Sequence, residues 1–68
     1  MGPQEIFELI IKADEKLKYA HEDNAGIRTQ QARELLEQAR AAAVEIGNDA
    51  LVRQADTRLA DLGGETAP

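Results

Sequence analysis

Ile6, Ile10, Ala13, Leu17 and Ala20 stand four, three, four and three residues apart. That spacing averages close to one turn of an α-helix, so all five fall on a single face that needs a cover. Two further stripes repeat the pattern: Ala32, Leu35, Leu36, Ala39, Ala42, Ala43 and Ile46, then Leu51, Val52, Ala55, Leu59 and Leu62. Residues that favour strands are scattered and never alternate with period two, whereas alanine, leucine, glutamate, arginine and glutamine fill most of the chain and lose least on entering a helix. Three one-sided helices in one short chain have only each other to bury against. The expected fold is an all-α, antiparallel three-helix bundle.

Breaks between the stripes set the expected boundaries. Pro3 suits the first turn of a helix, where its missing N–H is no loss. Glu5 and Glu8 near the start and Lys16 and Lys18 near the end complement the helix dipole. Glu8–Lys12 and Asp14–Lys18 are i,i+4 pairs worth about 0.2–0.5 kcal/mol each. Helix one is expected over residues 3–21, before the polar run His21-Glu22-Asp23-Asn24-Ala25-Gly26. Helix two is expected over 26–46, with Asn24 or Thr29 as its N-cap and Gly47 as the glycine that ends it. Helix three is expected over 49–62, capped by Asn48 or Asp49 and closed by Gly63-Gly64. Residues 1–62 then form one domain and 63–68 a disordered tail.

The chain has 68 residues, no cysteine and one histidine. No disulfide staples it, so its stability rests on tight helix packing or on association. The net charge of −5 disfavours nucleic acid and anionic membrane as partners, and no segment gathers the lysines and arginines that phosphates require. The start lacks the basic and apolar regions of a signal peptide, and the run Leu9-Ile10-Ile11 is too short to span a bilayer. A cytoplasmic protein is the expectation.

The stretch from Ala32 to Ala39 resembles the second helix of a tetratricopeptide repeat, with Ala32, Leu36 and Ala39 at that family's small, large and small positions. The turn Gly47-Asn48-Asp49 and the helix from Leu51 to Gly63 resemble the entry into a following first helix. Ile10-Ile11-Lys12-Ala13 together with residues 32–39 also resembles the microtubule-interacting-and-transport (MIT) type of three-helix domain. Both resemblances imply a module that binds peptides or helices.

Catalytic chemistry has little to work with. Serine and cysteine are absent, and the hydroxyls of Tyr19, Thr29, Thr57 and Thr66 stand at no recognisable spacing from a base. His21, Glu22 and Asp23 are too few ligands for a closed metal site, and the imidazole suits a helix C-terminus. Asp56 and Asp61 read as surface charge. The sequence therefore predicts no catalytic residue, no metal and no cofactor. A helix-turn-helix reading rests on Ala43 and Gly47, with Arg53, Gln54, Thr57 and Arg58 on a recognition helix. Against it, Arg53 takes a position that is usually apolar, and Asp49, Asp56 and Asp61 would face phosphates.

The positive signal is apolar surface left over. Phe7 and Ile11 lie i,i+4 on a stripe beside the core stripe of helix one, continued by Asp14 and Lys18. Ala41 and Val44 form a weaker off-core pair on helix two. A wide core stripe, with Phe7 folded over the end of a neighbouring helix, accounts for the first pair as readily as a contact surface does. Two uses follow if the surface is free. One is a non-enzymatic adaptor that takes a partner helix or peptide in an apolar groove along helix one. Its contact residues would be Phe7, Ile11, Ala41 and Val44, with Lys12, Arg40, Glu8 and Glu15 as rim charges. The other is a self-associating subunit, a homodimer through Phe7, Ile11 and their neighbours.

Overall fold

A computed structural model describes residues 1–20 and 23–64. Among these residues there are three helices, α1 (Pro3–Lys18), α2 (Ala25–Glu45) and α3 (Asp49–Gly64), and no strand. α2 is the middle element. α1 and α3 each pack along it and meet one another at few positions. The Cα envelope measures 36 × 25 × 13 Å. Its 25 Å width suits three helix axes laid nearly side by side at about 8–10 Å spacing.

Local chemistry explains the boundaries. Pro3 opens α1, and the Gly2 N–H donates to Glu5 Oε1 at 2.9 Å, so the third residue of the helix reaches back to the cap. α1 ends at Lys18, three residues short of the expected His21. Tyr19 has already left helical geometry, and the Ala20 N–H donates to the Leu17 carbonyl in a tightened final turn. His21 and Glu22 lie outside the described residues.

Asn24, not Thr29, is the N-cap of α2. At its other end Ile46 is the C-cap, and Gly47 has φ 69°, the left-handed conformation that glycine adopts without a Cβ clash. The Asn48 N–H reaches the Ala43 carbonyl at 2.9 Å and the Gly47 N–H reaches that of Val44 at 3.0 Å, the two bonds of a Schellman motif. Asn48 also starts α3, its Oδ1 accepting from the Leu51 N–H at 3.1 Å. One asparagine thus closes one helix and opens the next, which leaves α3 no course except back along α2. α3 then runs on through Gly64, two residues past its expected end, and residues 65–68 lie outside the described residues.

The core is small and dominated by alanine. Ile6, Ile10 and Leu36 are its large fully buried side chains, joined by Ala13, Ala32, Ala39, Ala43 and Ala55, with Leu51 and Leu62 nearly buried. Leu9, Leu17, Leu35, Ala42, Val52 and Leu59 pack around this centre. The alanines lie mainly on α2, where small side chains let both neighbours approach closely. Ile46, expected in the core stripe, is 43% exposed because the chain leaves the helix there and the stripe no longer continues.

Among the described residues, two ion pairs join the helices. Arg58 on α3 grips Asp14 on α1 side-on, Nε to Oδ1 at 2.8 Å and Nη2 to Oδ2 at 3.1 Å. Arg40 on α2 pairs with Asp56 on α3. Asp14 is therefore bound across the fold by Arg58 and not along its own helix by Lys18, the partner expected from i,i+4 spacing.

Candidate functional site

Phe7 and Ile11 remain on the surface of α1, at 43% and 39% exposure. Each residue turns the helix by about 100°, so Ile6 and Ile10 point into the core while Phe7 and Ile11 stand on the adjoining flank. Asp14 lies on that flank one heptad after Phe7, and its bond to Arg58 identifies the flank as the one beside α3. Gln4, Phe7, Glu8, Ile11 and Lys12 line a shallow depression of about 520 Å³. Every lining residue belongs to α1, so one helix supplies the whole floor and an occupant would lie along it.

The other expected contact residues lie elsewhere. Ala41 and Val44 are exposed on α2, and Val44 follows Arg40 by one turn. Because Arg40 faces α3 through Asp56, Val44 stands on the α3 side of α2 and Ala41 further round toward solvent. Neither lines the depression on α1. Arg40 is held by its ion pair, whereas Lys12 borders the depression directly. The structure thus brings Phe7, Ile11 and Lys12 together and leaves Ala41, Val44 and Arg40 apart from them.

A second hollow, of about 480 Å³, lies between α1 and α2. Lys12, Glu15, Lys16, Tyr19, Arg28 and Leu35 line it. Lys18 stands with its ammonium 5.6 Å from the centre of the Tyr19 ring, within cation–π range. Sequence reasoning did not single out this gathering of Lys12, Lys16 and Arg28. Only the i,i+4 spacing of the two lysines hinted at it, because Arg28 joins them through the fold.

On α3, Asp49 and Asp61 are exposed alongside Arg53, while Asp56 is paired with Arg40 and Arg58 with Asp14. This face therefore presents more acid than base. Among the described residues no polar or charged side chain is buried, and no group of three or more histidine, cysteine or acidic side chains comes together as a metal site would require. Among them too, no helix is long and apolar enough to cross a membrane.

No family model, curated protein or solved structure matches the chain. The described residues form a small all-α domain of three helices, with α1 and α3 packed along the central α2.

Proposed function

We propose that this chain is a non-catalytic protein-interaction module that receives a partner helix or extended peptide along α1. The observation that carries the reading is the exposure of Phe7 and Ile11 on one flank of a domain whose core has few large side chains to spare. Met1, Tyr19, Ile27, Val44 and Ile46 are exposed as well, but Phe7 and Ile11 stand together at helical spacing on the floor of one depression, which sets them apart from scattered surface apolar residues. An amphipathic guest that lays its own apolar stripe on them would cover both. Glu8 and Lys12 beside them would set its orientation through charge.

Within this reading we take α2 and α3 as a tetratricopeptide-like hairpin, with the MIT-type domain as the related form. Burial of Ala32, Leu36 and Ala39, at the small, large and small positions of that motif, supports the comparison. We place the protein in the cytoplasm and give it no nucleic-acid, membrane or cofactor role. The acidic balance of α3 supports leaving DNA aside.

Affinity capture from source cells, run beside thermal melts, tests the proposal. Phe7→Ala and Ile11→Ala are expected to abolish most capture while lowering the melting temperature far less than Leu36→Ala does. If melting falls as far for these two as for Leu36→Ala, they are core residues and the proposal fails.

A further inference from the structure

We infer that the hollow between α1 and α2 is a binding site for a small organic phosphate that carries two or three negative charges on a compact body. This hollow is separate from the Phe7–Ile11 flank: apart from Lys12, which borders both, none of its residues lines that depression.

Unpaired positive charge carries it. Lys12 and Lys16 stand one turn apart on α1, where like charges repel, and the fold adds Arg28 from α2 to the same hollow. Among the described residues no carboxylate forms an ion pair with any of the three. Glu15 is the single acid in the lining, so three cations less one acid leave two positive charges, in a chain whose net charge is −5. Lys16 and Arg28 are half-buried, so water screens them less than it does free surface cations. An anion seated among them would relieve the repulsion and accept charge-assisted hydrogen bonds from two ammonium groups and a guanidinium.

Size and lining narrow the class. At about 480 Å³ the hollow is far larger than a single phosphate group and falls in the range of small-ligand sites. Leu35 and Tyr19 give it an apolar wall. An adjoining hollow of about 310 Å³ shares Lys16 and Leu35 and adds the side-chain amides of Gln31 and Gln38. The phosphate would thus sit among the cations while its organic body lies on Leu35 and reaches the amides. A nucleic-acid strand or a membrane surface fits poorly. Either would extend past the three cations onto Glu15 and Glu34, and the net charge of the chain repels it.

Isothermal titration calorimetry on the full chain at low salt, with adenosine diphosphate and pyrophosphate as probes, tests this. Adenosine diphosphate is expected to bind with a dissociation constant of roughly 0.1–1 mM, and pyrophosphate, which lacks the organic body, about tenfold more weakly. Lys16→Gln and Arg28→Gln are each expected to weaken adenosine diphosphate about tenfold. Arg53→Gln, the same loss of charge on α3, is expected to change it by less than about twofold. Far-ultraviolet dichroism verifies that each variant is folded, and Lys16→Arg and Arg28→Lys, which keep the charge, are expected to retain most of the affinity. No heat of binding up to about 10 mM, equal weakening by Arg53→Gln, or pyrophosphate bound as tightly as adenosine diphosphate overturns the inference. So does tighter binding of a single-stranded oligonucleotide, or of phosphatidylserine vesicles, through Lys16 and Arg28.

Discussion

Gly47 and Leu36 show how differently single residues bear on this fold. At φ 69° a side chain strains the backbone even though nothing lies within 4 Å of the place its Cβ would take. Gly47→Ala is therefore expected to cost about 1 kcal/mol through conformation alone. Chemical denaturation will read this as a lower midpoint with an unchanged slope. Leu36 is wholly buried at the centre of α2, and Leu36→Ala is expected to cost about 2–5 kcal/mol by leaving a cavity. In a domain this small that approaches the whole stability, so the variant is expected to lose much of its helical dichroism at 37 °C. The Asp14–Arg58 pair is two-pronged but partly solvated, with 41% and 28% of the side chains exposed. A double-mutant cycle on it should return about 1 kcal/mol, near the top of the range for pairs open to water.

At the scale of the element, the turn between α2 and α3 was the most legible part of the sequence. Glycine and asparagine each have one physical reason to stand where they do, and Gly47 and Asn48 take those roles. Asn48→Ala is expected to cost about 1 kcal/mol. Faster amide exchange at Leu51 would be its local signature. The three stripes were legible for the same reason, since helical periodicity is written in the order of the residues. The end of α1 was not, because no glycine or proline follows Lys18 and the stripe continues in the letters after the backbone has left the helix. Nor could the sequence choose a partner for Asp14. Local spacing offered Lys18, and only the folded arrangement brings up Arg58 from the far end of the chain. The exposed Phe7–Ile11 flank was visible as a surplus, but whether a neighbouring helix covered it depended on where α3 lay. The alanine stripe of α2 has its own consequence. Ala39→Leu is expected to cost about 1–3 kcal/mol, because neither neighbour can retreat without uncovering Ile6, Ile10 or Leu51.

For the whole molecule, the central position of α2 decides how it comes together. Nearly all of its packing joins helices consecutive in the chain, and α1 and α3 contribute little to each other directly. Searching for native partners therefore closes only short loops, and chains of this kind refold in microseconds to milliseconds. Asp14–Arg58 spans 44 residues and has no part in such a search until the two hairpin turns exist. Asp14→Ala should accordingly leave the refolding rate in stopped-flow or temperature-jump experiments almost untouched and show itself as faster unfolding. The clasp between the first and last helices acts as a latch, setting how long the finished structure lasts and not how soon it forms.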